Sequence, residues 1–204
     1  MHWCTRKNLV VIISGPSGVG KDAVIRRLRE HGQGNRHYAI TATTRAKRAY
    51  EKDGVDYFFL DEGAFRSGIA SGNFLEWAIV YGNYYGVPRD QIDKALSEKK
   101  DVIIKPDVQG AATIRRIIPN GVFIFLAPSS DNELKDRLER RGPEPDDNSR
   151  LRLAAAIEEL KQIPYFDYVV VNEEGKLDAT ANLVEAIIQA EKCRVIIGED
   201  GPAK

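Results

Sequence analysis

One stretch narrows the possible folds more than any other: Gly15-Pro16-Ser17-Gly18-Val19-Gly20-Lys21-Asp22. An apolar run, Leu9-Val10-Val11-Ile12-Ile13, leads into it, and a helix-like run over 22–30 leads out. Strand, glycine-rich turn and helix, in that order, is the setting in which a G-x-x-x-x-G-K spacing holds phosphate. The glycines let backbone N–H groups turn inward around an anion, and the helix N-terminus adds the positive end of its dipole. Lys21 then serves the β- and γ-phosphates as a mobile point charge. The residues expected on a triphosphate are Gly15, Pro16, Ser17, Gly18, Val19, Gly20, Lys21, Asp22 and Ala23.

The position after the lysine departs from that pattern. Ser or Thr usually stands there and gives its hydroxyl to Mg²⁺. This chain has Asp22. A carboxylate is a hard, charged magnesium ligand, so Asp22 is the candidate metal-binding residue. It also sets a negative charge beside phosphates, and that charge calls for a partner.

The rest of the chain alternates. Strands are expected at 9–13, 38–42, 57–60, 74–81, 101–105, 122–126 and 167–171. Helices are expected at 22–30, 61–71 capped by Asp61, 88–97 opened by Pro88, 108–118, 131–140 capped by Asp131, 150–163 and 177–193. Gly82-Asn83 is a hairpin turn signal. Continuous apolar strands separated by helices imply a parallel sheet covered on both faces, with ligands outside the carboxyl ends of its strands. The hairpin-rich segment 38–97 breaks the alternation and reads as an inserted lobe.

Composition sets the outer limits. A length of 204 residues suits one domain with inserted lobes. Lys+Arg 30 and Asp+Glu 30 cancel, so bulk charge favours neither nucleic acid nor a membrane surface. Cys4 and Cys193 have no metal-ligand spacing and fit a reducing compartment, with the cytoplasm expected. No apolar run approaches the roughly 20 residues of a membrane helix.

Several short matches then fall in one order. They are Ser14 to Lys21, Thr43-Thr44-Arg45-x-x-Arg48, Gly54-Val55-Asp56-Tyr57-x-Phe59 and Phe74-Leu75-Glu76-Trp77. Gly82-Asn83-Tyr84-Tyr85-Gly86, Asp107-x-Gln109-Gly110 and Arg137-Leu138-x-x-Arg141-Gly142 follow. Together, over 9–192, the chain closely resembles guanylate kinase. The resemblance implies one α/β domain over 1–204, of the P-loop NTPase type, three-layer αβα with a parallel core sheet. Residues 7–37, 98–130 and 155–195 would form the nucleotide-binding core. Residues 38–97 would form an inserted mixed α+β lobe for GMP, and 131–154 a helical lid. The implied reaction is ATP + GMP ⇌ ADP + GDP, with dGMP as a second acceptor and Mg²⁺ as cofactor.

Phosphoryl transfer between two nucleotides brings two polyanions together. The acceptor phosphate is already a nucleophile, so no general base is needed, and catalysis reduces to positioning and charge neutralisation. By resemblance, Arg45 and Arg48 grip the GMP phosphate, with Tyr57 and Tyr85 as hydroxyl donors to it. Bidentate arginine geometry suits that task. Glu76 is an acid in an apolar strand, and a buried carboxylate without a partner is costly. Guanine offers the donor pair N1–H and N2–H₂ that such a carboxylate can accept, whereas adenine offers none. The resemblance adds Thr41 as a hydroxyl on the base and places Asp107 near the base and magnesium. It makes Lys21, Arg45, Arg137, Arg141 and Arg152 the charge-neutralising catalytic set, the last three on the lid. Asn172 is the expected adenine contact.

Two more positions leave the family's pattern. Lys105 stands where an acid is common, and Val87 where a small hydroxyl residue would touch the base. Because the strand ending near Lys105 lies beside the phosphate loop in such folds, Asp22 and Lys105 are expected to form a compensating charge pair. Two other readings are a kinase for another nucleoside monophosphate, which Glu76 argues against for AMP, and a family-like binding module without catalysis. Such modules usually lose the loop lysine, which is present here. The sequence does not distinguish a monomer from a homo-oligomer.

Overall fold

The computed structural model describes residues 8–31, 34–140 and 149–195, the side chains of 149–152 excepted. In chain order the first elements are β1 (Val10–Ser14), α1 (Lys21–His31), β2 (Arg36–Tyr38), β3 (Thr41–Thr43), β4 (Tyr57–Phe59) and α2 (Glu62–Ala70). Next come β5 (Phe74–Val80), β6 (Asn83–Pro88), α3 (Arg89–Ser97), β7 (Asp101–Ile104) and α4 (Val108–Ile117). The chain continues with β8 (Val122–Ala127), α5 (Asp131–Arg140), α6 (Ser149–Leu160), β9 (Tyr168–Val171) and α7 (Leu177–Lys192).

β1 is apolar on both faces, as a strand must be when helices cover both sides of its sheet. It lies at the centre of a five-stranded sheet of order β2-β7-β1-β8-β9 in which every pairing is parallel. Val24, Ile25 and Leu28 of α1 and Ala181, Val184 and Ile188 of α7 cover one face, over Val11, Ile13 and Ile124. Ile92 and Ala95 of α3 and Ala111 and Ile114 of α4 cover the other, over Ile12, Val102, Ile104 and Phe123. Fully burying each such aliphatic side chain is worth about 1.5–3 kcal/mol. The chain leaves β1 toward β2 on one side and later crosses from β7 to β8 on the other. The carboxyl end of β1 is therefore the point where strand order reverses, the place at which open α/β sheets bind ligands.

Residues 41–88 build a second, four-stranded sheet of order β4-β3-β6-β5, with one parallel and two antiparallel pairings. α2 closes it with Phe65, whose ring stacks on Phe74 at 4.4 Å. The single strand expected at 38–42 is in fact two. β2 ends in the core sheet at Tyr38, and β3 starts in the second sheet at Thr41. Gln91 holds the crossing, accepting from the Ile40 N–H at 2.8 Å and donating to its carbonyl at 2.8 Å. The hairpin turn also shifts by one residue. Tyr81 and Gly82, with φ of 47° and 76°, form it, and Asn83 already pairs with Val80.

α5 and α6 pack on each other through Leu134, Leu138 and Ala156. Ser130 rather than Asp131 caps α5, its Oγ accepting from the Glu133 N–H at 3.2 Å. α6 stops at Leu160 rather than at 163, and a short 3-10 turn, Ile163–Tyr165, follows. Pro164 keeps α6 from running on, because it has no N–H to donate to the Leu160 carbonyl. No helix among the described residues is long and apolar enough to cross a membrane.

Candidate active site

The loop between β1 and α1 wraps as its spacing predicts. Gly18 and Gly20 have φ of 83° and 96°. A Cβ on Gly20 would lie 2.6 Å from Asn172 Nδ2, so both conformation and space require glycine there. Two side chains hold the loop from outside. Asn172 Nδ2 donates to the Val19 carbonyl at 2.7 Å, and Arg137 donates to the same carbonyl at 2.9 Å. Arg137 also donates to the Asn172 carbonyl at 2.8 Å and pairs with Glu133. Val19's own side chain is fully buried in the core. Lys21 Nζ folds back onto the Gly15 and Pro16 carbonyls at 2.5 and 3.2 Å. The Ser17 N–H donates to Glu159 Oε2 at 3.1 Å, so a carboxylate from α6 already sits on the loop. Burial pushes the Glu159 carboxyl above its usual range, against the opposing pull of Lys21 and the Ser17 N–H.

A cavity of about 370 Å³ opens between this loop and the second sheet. Its walls bring together Gly15 to Gly18, Gly20 to Ala23, Thr41, Arg45, Arg48, Tyr57, Glu76, Tyr85, Asp107 and Arg137. Lys105, Glu159, Ala78, Val80 and Tyr81 complete it. Asn172 lies outside it, in a shallow cleft with Gly18, Gly20 and Arg137. Val87 does not face it, being fully buried against Leu75 and Ile92. Arg141 lies outside the described residues. The backbone of Arg152 belongs to α6, and its side chain lies outside them too.

At the arginine end of the cavity, the Thr43 hydroxyl accepts from the Arg45 N–H at 3.2 Å and fixes where the loop after β3 turns. Glu51, buried, then organises both arginines. It accepts from Arg45 Nη2 at 2.8 and 3.1 Å, from the Arg48 N–H at 2.8 Å and from Arg48 Nη1 at 3.5 Å. Burial would raise the Glu51 carboxyl, but the two arginines outweigh it and hold it below its usual range. Sequence reasoning missed Glu51, although the spacing Arg45-x-x-Arg48-x-x-Glu51 carried the signal. The Tyr57 and Tyr85 rings meet edge to face at 6.3 Å beside them.

The same cavity wall also carries polar atoms without partners. Glu76 is 6% exposed and makes no hydrogen bond or ion pair among the described residues. Burial, with the nearby charge of Asp107 adding to it, pushes its carboxyl up to about 8. α4 packs tightly against it, since a Cβ on Gly110 would lie 2.6 Å from Glu76 Oε2. Thr41 Oγ1 is buried without a hydrogen-bond partner among the described residues. Asp107, by contrast, caps α4 by accepting from the Gly110 N–H at 2.6 Å. Leaving a buried polar group unpaired costs about 1–3 kcal/mol. An ionised carboxylate on that wall calls for a ligand edge that donates hydrogen bonds, and the Thr41 hydroxyl can accept from or donate to the same ligand.

The expected charge pair is present. Lys105 Nζ donates to Asp22 Oδ1 at 2.5 Å. The same ammonium lies 4.0 Å from the centroid of the Tyr57 ring. Burial would lower the Lys105 pKa, but the Tyr57 and Asp22 oxygens outweigh it and push it up to about 12. Among the described residues no three His, Cys, Asp or Glu side chains cluster as a metal cage.

Comparisons with known proteins converge. Residues 7–191 match the family model described as guanylate kinase. The chain is 47% identical over 188 residues to a chloroplastic/mitochondrial guanylate kinase 2 of rice, covering 92% of this chain and 66% of that protein's length. It is 44% identical to a guanylate kinase of Bacillus cereus, covering 93% of this chain and 92% of that one. A solved guanylate kinase from Anaplasma phagocytophilum is similar in structure, with a TM-score of 0.76 at 31% identity. That match covers 93% of this chain and 89% of the other.

Proposed function

The chain belongs to the guanylate kinase family, whose reaction turns GMP into GDP with ATP as donor, and we propose how its residues divide that work. The observation that carries the reading is that Glu76 and Thr41, unpartnered among the described residues, line one cavity together with the Arg45 and Arg48 cluster. Ionised Glu76 accepts N1–H and N2–H₂ of guanine, and Thr41 Oγ1 meets the base beside it. Adenine would set its N1 lone pair against the carboxylate, so AMP is rejected by repulsion and by loss of two hydrogen bonds. Arg45 and Arg48, held by Glu51, bind the GMP phosphate with Tyr57 and Tyr85. Asp107, capping α4 beside Glu76, lines the base end.

On the donor side, residues 15–23 cradle the ATP phosphates, and Lys21 leaves the Gly15 and Pro16 carbonyls for the β- and γ-phosphates. Arg137 stands at the loop's outer edge, and Arg141 and Arg152 are assigned the same charge-neutralising role on the ATP side. Asn172, which holds the loop through the Val19 carbonyl, is the residue we assign to the adenine side of ATP. Asp22 fits magnesium, because this ion takes one or two carboxylates, several waters and substrate phosphates rather than an all-protein cage. Magnesium bound with ATP would neutralise charge on the transferring group. The acceptor phosphate oxygen attacks in line, and no protein base is required.

An assay of ADP release with ATP and Mg²⁺ tests the reading against GMP, dGMP, AMP, CMP and UMP. Turnover confined to GMP and dGMP is expected. Turnover with AMP, or GMP binding without turnover, would replace it with a different acceptor or with a binding module.

A further inference from the structure

The two charged positions at which the chain leaves its family's pattern meet each other, and they meet at the junction of three elements. Asp22 is in the first turn of α1, directly behind Lys21. Lys105 follows the last residue of β7. Tyr57 opens β4 in the second sheet. The Lys105 ammonium therefore touches the phosphate-loop helix on one side and the acceptor lobe on the other. The pair is unequal, with the lysine side chain 8% exposed and the aspartate 57%. Water can solvate Asp22 alone, but Lys105 alone would be a buried, unpaired charge.

We propose that Lys105 is a positioning residue for phosphoryl transfer: it neutralises Asp22 beside the phosphate loop and seats the Tyr57 ring that presents its hydroxyl to the acceptor phosphate. This rests on the GMP-binding reading above. In a cavity that must accept two polyanions, an uncompensated carboxylate behind Lys21 repels both. Lys105 cancels that charge, and its cation–ring contact fixes Tyr57 relative to the loop. A surface ion pair of ordinary kind would do neither, because its removal would leave the acceptor's phosphate contacts where they were.

The test is equilibrium binding of GMP and of guanosine by calorimetry, without ATP or magnesium, to the wild-type protein, Lys105→Met, Lys105→Arg, Tyr57→Phe and Lys105→Met/Tyr57→Phe. Lys105→Met is expected to weaken GMP roughly tenfold, the size of one hydrogen bond to a charged group, and to leave guanosine unchanged. Lys105→Arg should restore GMP affinity. The double variant should lose less GMP affinity than the sum of the two single losses, because part of the lysine's effect passes through the tyrosine. Should Lys105→Met not fold, Asp22→Ser/Lys105→Met leaves no unpaired charge and takes its place, with a smaller loss, again on GMP alone, because only the seating of Tyr57 is then missing. Equal losses for GMP and guanosine, no loss on GMP, or additive losses with Tyr57→Phe would each overturn the proposal. A wild-type protein that binds no GMP would instead overturn the functional reading, and this proposal with it.

Discussion

Two stretches of the cavity wall differ in how far the protein satisfies its own polar groups. Around the phosphate loop, contacts are already made: Lys21 on the Gly15 and Pro16 carbonyls, Ser17 N–H on Glu159, and Asn172 and Arg137 on the Val19 carbonyl. On the second sheet, Glu76 and Thr41 Oγ1 are buried without partners among the described residues. The loop is held in shape by the protein's own contacts, so on the proposed reading phosphate binding there is an exchange of partners. On the same reading the unpartnered Glu76 carries a cost that the guanine edge relieves, and selectivity for the base rests there rather than on the loop.

The sharpest break in that contrast is Lys21→Ala. It removes the mobile charge while leaving the loop's other contacts, so kcat should fall by about 10³ or more with a melting temperature near that of the wild type, read by steady-state kinetics and calorimetry. An effect of about tenfold is expected from pH. The Glu76 carboxyl is raised from 4.5 to about 8 in the nucleotide-free protein. Guanine needs the ionised form, so kcat/KM for GMP should rise about tenfold between pH 7 and pH 9. The sign for stability is opposite. A raised folded-state value favours the protonated fold, so stability without nucleotide should be full below about pH 4.5 and fall as pH rises through 8, followed by thermal melts. The smallest effect is expected at Glu159. Glu159→Gln weakens the carboxylate that occupies the Ser17 N–H, so ATP should bind about threefold tighter in a titration, with GMP affinity unchanged.

Much of this site was legible in the sequence because single residues carried incompatible demands. A lysine and three glycines in one short turn have few uses, and an acid between Leu75 and Trp77 cannot be an ordinary strand residue. Asp22 and Lys105 were legible as a pair because one departure ends the phosphate loop and the other follows the strand expected beside it. What stayed hidden depends on tertiary contacts. Nothing local says that the run 38–42 divides between two sheets, since β-forming residues do not name their partner strand. Glu51 and Glu159 look like surface acids until the fold sets one against two arginines and the other on the phosphate loop. Val87 reads as a lost base contact, but its place beside Leu75 and Ile92 makes it core.

Glu76→Gln tests the contrast most directly, because the two consequences have opposite signs. Replacing a buried, unpaired carboxyl by a neutral amide of the same shape should raise the melting temperature of the nucleotide-free protein at pH 8. It should also lower kcat/KM for GMP about 100-fold, the size of a strong hydrogen-bond pair, without a matching loss of ATP affinity. A variant that melts lower, or that keeps wild-type kcat/KM for GMP, would contradict the assignment of that carboxylate as the guanine reader.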